Sequence, residues 1–122
     1  MGLEETLGIE ILSADASGVV ARMPVQEAHL QPFGYLHGGA SAALAEHAAS
    51  VGAQGFCPPG HVAFGLALNI NHLKKKAAGE TLVARARPRH TGRRTQVWEI
   101  EIEDEDGQLV ALARCTLAVV EV

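Results

Sequence analysis

The chain has few aromatic residues and few cysteines. Only 4% of its 122 residues are Phe, Trp or Tyr, so its core must be built mainly from Ala, Val, Leu and Ile. The two cysteines, Cys57 and Cys115, are too few for a disulfide framework and show no metal-binding spacing. The six histidines also lack the spacing of a metal site, so we expect no bound metal and no separate cofactor.

The sequence also lacks targeting and membrane signals. No apolar run is long enough to span a bilayer, and the acidic N-terminus has no signal-peptide core. No G-x-S-x-G motif marks a serine hydrolase. We therefore expect a cytoplasmic protein that binds no membrane, with one domain spanning residues 1–122.

Charge is present but unevenly placed. The net charge of -4 argues against a nucleic-acid partner. Six acidic residues lie between positions 99 and 106, and eight of the ten basic residues lie between positions 74 and 94: Lys74, Lys75, Lys76, Arg85, Arg87, Arg89, Arg93 and Arg94. These basic residues are either solvated strand faces and turns or a docking site for a small polyanion.

The order of patterns predicts an α+β fold. "GIEILSA" and "GVVARMPV" are typical of strands, and residues 38–54 are alanine-rich without proline, which favours a buried central helix. Four more strand-like segments follow, and "VWEIEIE" alternates as a half-buried antiparallel strand does. Asp106-Gly107 and "HTGRR" indicate hairpins. We expect two strands, one long helix and a three- or four-strand meander, forming an antiparallel sheet curled around the helix.

The last strand is long and apolar, and we expect it at the edge of the sheet. An exposed edge pairs readily with another chain, so a homodimer is predicted. Trp98 and Phe64 are expected in the core.

The stretch "QPFGYLHGGASAALAEHAAS", residues 31–50, places one carboxylate, Glu46, among alanines. Desolvation on such a face disfavours the charged form and makes Glu46 a plausible base near neutral pH. Ser50 is four residues further on and shares its helical face. The free N–H groups of Gly38 and Gly39 at a helix start favour developing negative charge. The plainer alternatives are a simple helix start and a solvent-exposed glutamate.

With "NINHL" and "HTGRRTQVWEIEIEDEDGQLVALARCT", this stretch resembles the hotdog-fold acyl-CoA thioesterases over nearly the whole chain. The His-Gly-Gly run with Glu at the ninth position after the histidine is similar to the catalytic-glutamate group. That group includes the Arthrobacter-type 4-hydroxybenzoyl-CoA thioesterase, the enterobactin proofreading thioesterase and 1,4-dihydroxy-2-naphthoyl-CoA hydrolase. The resemblance implies the hotdog fold, a sheet wrapped around one long central helix.

The resemblance also implies residue roles. Gln31 and the Gly38 N–H hold the thioester carbonyl oxygen, His37 shapes that loop, Glu46 is the base or nucleophile, and Ser50 orients water. His72 lines the thioester or pantetheine end of the site. The phosphates of coenzyme A need cations and turn N–H groups, and the candidates are Lys74, Thr91, Gly92 and Arg93.

Helix geometry indicates a shared site. Gly38 and Glu46 are eight residues apart, about 12 Å along a helix and about 80° apart around its axis. One thioester carbon cannot contact both within one chain, but a two-fold dimer removes the conflict. The family implies such a homodimer, with a dimer of dimers as the larger assembly. The expected function is hydrolysis of acyl-CoA or aroyl-CoA thioesters, and the alternatives are a non-catalytic acyl-CoA-binding module and a hotdog hydratase or dehydratase.

Overall fold

The computed structural model describes residues 2–122. Its elements in chain order are helix α1 (Leu3–Leu7), strands β1 (Glu10–Asp15) and β2 (Gly18–Pro24), a 3-10 turn (Glu27–His29), helix α2 (Gly38–Gln54), and strands β3 (His61–His72), β4 (Thr81–Thr91), β5 (Thr95–Glu103) and β6 (Leu109–Glu121). The α+β prediction of an antiparallel sheet with one long helix is confirmed. Neither helix in this part of the chain has the length and apolarity needed to cross a bilayer.

Helix α2 has the bounds that the sequence predicts. His37 caps its start, because His37 Nδ1 accepts a hydrogen bond from the Gly39 N–H at 2.8 Å. One face packs into the core: Ala40, Ser41, Leu44, Ala45, Ala48, Ala49, Gly52 and Ala53. The expectation that α2 is buried all round is wrong for the chain alone, since Glu46 is exposed. The small residues on the buried face of α2 let the sheet pack closely against the helix. The sheet does not cover the opposite face.

The sheet has the strand order β1-β2-β4-β5-β6-β3, with every neighbouring pair antiparallel. The three-strand form of the predicted meander is confirmed by β4, β5 and β6, but the four-strand form is wrong, because β3 pairs with β6 rather than with β4. The predicted edge is wrong as well, since β6 lies between β5 and β3. The sheet edges are β1 and β3. Strand patterns indicate where strands lie in the chain but not which strands pair, because pairing is decided by non-local packing.

The buried interior contains one large aromatic side chain. Trp98 is fully buried, as expected. Its Nε1 donates to Gln96 Oε1 at 2.8 Å, and Gln96 Nε2 donates to the Ala53 carbonyl at 3.0 Å, so these buried polar groups join sheet and helix. The prediction that Phe64 lies in the core is wrong for the chain alone, because Phe64 is 58% exposed on edge strand β3.

The outer face of the sheet shows what most of the clustered charges do. Three arginines of β4 pair with three glutamates of β5: Arg85 with Glu103 at 2.8 Å, Arg87 with Glu101 at 2.7 Å and Arg89 with Glu99 at 2.7 Å. These six residues form a solvated strand face. For this part of the basic cluster, the structure therefore favours solvated strand residues over a docking site for a small polyanion. Both predicted hairpins are confirmed, and the Gly92 N–H donates to the Thr95 carbonyl at 2.9 Å.

Lys76 is buried, and its charge is paired. Its Nζ donates to Asp104 Oδ2 at 2.7 Å and to Glu80 Oε1 at 3.2 Å. The side chains of Lys76 and Asp104 are only 7% and 5% exposed. The Lys76 carbonyl also accepts a hydrogen bond from the Leu36 N–H at 2.8 Å. Lys76 therefore joins the β3–β4 loop to the β5–β6 turn and to the segment that leads into α2.

We expect Lys76→Met to lower the thermal unfolding midpoint at neutral pH by on the order of 10 °C, because it leaves a buried carboxylate without its cation. The hydrogen bond from Lys76 lowers the pKa of Asp104 and raises the pKa of Lys76. The contribution of Asp104 to the free energy of unfolding is thus complete at pH values above the usual pKa of a carboxyl group. It is lost as the pH falls through the lowered pKa of Asp104. The Lys76 contribution is lost as pH rises through the raised pKa.

The measurement is thermal unfolding of wild type and Lys76→Met from acidic to alkaline pH. The exposed ion pair of Arg85 and Glu103 provides the matched control. Arg85→Met is expected to shift the midpoint by no more than about 2 °C, because exposed ion pairs contribute little. Equal shifts for the two variants, or a Lys76→Met shift that is unchanged in strong acid, would contradict the assignment.

Candidate active site

The end of strand β3 lies against the start of helix α2. The His72 ring of β3 lies over Gly38 so closely that a Cβ on Gly38 would be 2.9 Å from His72 Nε2. Ser41 Oγ lies 3.3 Å from His72 Nδ1 and donates to the Gly38 carbonyl at 3.1 Å. His37 is the capping residue beside them. The structure therefore brings His37, Gly38 and His72 together at the positive end of the helix dipole.

Gln31 lies in the loop that leads into this helix start. Its Oε1 accepts hydrogen bonds from the Phe33 N–H at 2.5 Å and the Tyr35 N–H at 3.4 Å. Because backbone donors hold the amide oxygen, the orientation of the amide group is fixed. Within residues 2–122 the Gln31 NH₂ group makes no hydrogen bond, so it is available as a donor.

Glu46 and Ser50 lie further along α2 on one exposed side. They line a surface groove of about 430 Å³, together with Leu3, Gly39, Ala42, Ala43, His47 and Leu68. Leu3 belongs to α1, which was not predicted and which forms a wall of this groove. His47 also lines the groove, although its position next to Glu46 predicts a different direction.

The Glu46 carboxylate is directed toward β3. A Cβ built on Gly65 would lie 2.5 Å from Glu46 Oε2 and 3.0 Å from Glu46 Cδ. Burial raises the pKa of the Cys115 thiol to about 11, and the charge of Glu46 adds to that effect. Cys115 is on β6 opposite Leu68 of β3, so the carboxylate lies near the two strands at the edge of the sheet.

The structure leaves these two groups of residues apart. Helix α2 runs from Gly38 to Gln54 without interruption, so Gly38 and Glu46 remain about 12 Å apart along it. A single chain thus carries His37, Gly38 and His72 at one place, with Gln31 in the loop before them, and Glu46 with Ser50 at another.

The four candidate phosphate contacts are divided in the same way. Lys74 follows the end of β3 at His72 and lies 3.9 Å from the buried Asp104. Thr91, Gly92 and Arg93 form the β4–β5 turn, and Thr91 pairs with Gln96, which is in register with Leu117 and Gly65. From Gly65 to His72 is seven residues, about 23 Å of strand. Lys74 and Arg93 therefore lie at opposite ends of the sheet within one chain.

Sequence reasoning missed Gly65 and Cys115 as neighbours of the carboxylate. The available signal was a single glycine inside the apolar strand segment "VAFGLALNI", which is typical of a bulge or of a close backbone approach. The structure has both features, since the register of β3 shifts between Gly65 and Ala67.

Comparison with known proteins identifies the family. The model of the family described as "Thioesterase superfamily" matches residues 33–111. A 1,4-dihydroxy-2-naphthoyl-CoA hydrolase from Listeria monocytogenes is 52% identical over 119 residues, covering 98% of this chain and 96% of that protein. A protein of the same name from Escherichia coli is 44% identical over 100 residues, covering 81% and 72%.

Solved structures agree with this relationship. A thioesterase from Haemophilus influenzae has a TM-score of 0.90 and 41% identity to this chain, covering 97% of this chain and 82% of that one. The antiparallel sheet with one long helix is thus shared along with the sequence. With the match over residues 33–111, these similarities show that the chain belongs to the thioesterase superfamily, the hotdog family that its sequence resembles.

Proposed function

We propose that the protein hydrolyses acyl-CoA or aroyl-CoA thioesters to the free acid and coenzyme A, in a site shared between two subunits. The observation that carries this proposal is the pair of contacts between α2 and β3. At one contact the helix N-terminus at Gly38 lies beside His72, and at the other the Glu46 carboxylate lies on Gly65. Membership in the thioesterase superfamily and the relatives named as CoA hydrolases support the reaction class.

The proposed dimer forms by antiparallel pairing of edge strand β3 with β3 of a second copy. Strand β3 has no neighbour on its outer side within residues 2–122 of one chain, and it carries Phe64 and Leu66, which are 58% and 62% exposed. Placing Gly65 of the partner subunit opposite His72 brings the Glu46 carboxylate of the partner subunit beside Gly38. The bulge between Gly65 and Ala67 is counted as one position of β3. With this count the two-fold axis passes through Asn69, and paired residues of the two strands have their side chains on the same face of the sheet.

The proposed chemistry follows from this arrangement. The Gly38 N–H and the Gln31 NH₂ donate to the thioester carbonyl oxygen, and they stabilise the oxyanion when charge develops there. Glu46 of the partner subunit takes a proton from water, which Ser50 orients, and the hydroxide adds to the carbonyl carbon. The tetrahedral intermediate then breaks its C–S bond, and the proton held by Glu46 passes to the CoA thiolate.

A covalent route uses the same atoms. Glu46 adds to the carbonyl carbon itself, CoA leaves as the thiolate, and water then hydrolyses the resulting anhydride to release the acid. Both routes consume one water and need no cofactor, because coenzyme A is part of the substrate.

Coenzyme A binding also fits the two-fold arrangement. The register that pairs Gly65 with His72 brings Lys74 of one subunit and the Thr91-Gly92-Arg93 turn of the other to the same side of the dimer. Cations and turn N–H groups are the partners that phosphates need. The dimer alone completes the site, and a dimer of dimers would repeat it. We place the enzyme in the cytoplasm, which agrees with its two free thiols.

The test is thiol release from a panel of aroyl-, phenylacetyl- and fatty acyl-CoA thioesters, each compared with its N-acetylcysteamine analogue. We expect turnover of at least one CoA ester, unchanged by a metal chelator. The analogue should show a higher KM with less change in kcat, since phosphate contacts act in ground and transition states alike. Tight binding of CoA esters without thiol release would indicate a binding module. Hydration or dehydration of the acyl chain would indicate the other alternative enzyme.

A further inference from the structure

The contact between Glu46 and Gly65 depends on the absence of a side chain at position 65. A Cβ there would lie 2.5 Å from Glu46 Oε2, 3.0 Å from Cδ and 3.5 Å from Cγ. Separations below about 3 Å between such atoms require one of them to move. Because the carboxyl group is the end of a flexible and exposed side chain, Glu46 is the partner that can move at little free-energy cost.

The backbone at Gly65 does not itself require glycine. Six glycines in residues 2–122 have positive φ, namely Gly8, Gly18, Gly34, Gly60, Gly79 and Gly107, and Gly65 is not among them. Alanine can adopt extended backbone without strain. A side chain at position 65 would therefore meet the Glu46 side chain rather than a backbone restriction.

Two further observations locate the carboxylate at this contact. Gly65 lies at the bulge of β3, a feature that commonly redirects a side chain beside an active site. The Glu46 charge also reaches the buried Cys115 thiol on the neighbouring strand, whose pKa it helps to raise. The carboxylate thus lies over the edge of the sheet, not over the solvent-facing side of α2.

We propose that Gly65 is a positioning residue whose lack of a side chain leaves the space in which the Glu46 carboxylate lies over edge strand β3, where it faces the helix start of the partner subunit. This inference rests on the proposed function, in which Glu46 acts on the thioester. A side chain at position 65 displaces the carboxylate by a distance comparable to a bond length, and misplacement of about 1 Å reduces turnover by about a hundredfold.

The experiment compares Gly65→Ala with wild type on the best substrate of the panel. We expect kcat to fall by about ten- to a hundredfold, with KM within about threefold and an unfolding midpoint within about 2 °C. Gly55→Ala is the matched control, because Gly55 has φ -65° and a Cβ there would lie no closer than 3.4 Å to the Gly52 carbonyl oxygen. It is expected to keep wild-type kcat.

A double-mutant cycle separates positioning of the carboxylate from an effect on the dimer or on folding. In the Glu46→Gln background, Gly65→Ala should lower the remaining kcat by less than about threefold, because the charge that it positions is already gone. An equal factor in both backgrounds, or wild-type kcat for Gly65→Ala alone, overturns the inference. If Glu46→Gln itself retains wild-type kcat, the proposed role of Glu46 fails, and if wild type hydrolyses no ester of the panel, the proposed function fails instead.

Discussion

Replacement of Glu46 with glutamine is expected to lower kcat by at least about a hundredfold, the lower end for removal of a general base. The amide keeps the size and shape of the side chain, but it neither accepts a proton from water nor adds to a carbonyl carbon. Folding should change little, since Glu46 is exposed in the chain alone. Steady-state thiol release with the best panel substrate measures the effect, and thermal unfolding checks the fold.

Glu101→Gln is the matched control for this prediction. It makes the same substitution at a residue on the outer face of the sheet, where Glu101 pairs with Arg87 at 2.7 Å. We expect its kcat to stay within about twofold of wild type. A Glu46→Gln enzyme that turns over within a few-fold of wild type would show that the carboxylate is neither base nor nucleophile.

Local features of the fold could be predicted from the sequence because local interactions determine them. Helix α2 has a capping residue, helix-forming alanines and no proline, so both of its ends were predictable. The hairpin at Asp106-Gly107 follows from turn chemistry in the same way. The position of β3 depends instead on which strands bury each other, and no local pattern carries that information. Hence β6 was expected at an edge that β3 occupies.

The candidate site could likewise be predicted only where local sequence determines it. The motif from Gln31 to Ser50 marks residues by type and spacing, and helix geometry already indicated that Gly38 and Glu46 cannot meet within one chain. Residue spacing alone does not give the contacts with β3, because His72 over Gly38 and Glu46 on Gly65 join residues that are distant in the chain. The structure adds that edge strand β3 carries both contacts. This is the physical basis for pairing two copies through that strand.

A shared site makes a prediction about mixtures of inactive variants. Gln31→Ala removes a donor to the carbonyl oxygen, and Glu46→Ala removes the carboxylate, so each homodimer should be nearly inactive. When the two variants are denatured together and refolded, about half of the dimers should contain one chain of each kind. In such a dimer one site collects both substitutions and the other collects neither.

Two-fold symmetry therefore predicts the recovered activity without any assumption about the substrate. About half of the dimers are mixed and one of the two sites in each is restored, so roughly a quarter of wild-type activity should return. Refolding each variant alone is the control and should recover no activity. Mass spectrometry of the intact assembly verifies that mixed dimers have formed. If they are present and the mixture stays inactive, Gln31 and Glu46 act within one chain, where the unbroken helix from Gly38 to Gln54 keeps the Gly38 N–H away from Glu46. That result would require a different catalytic pair.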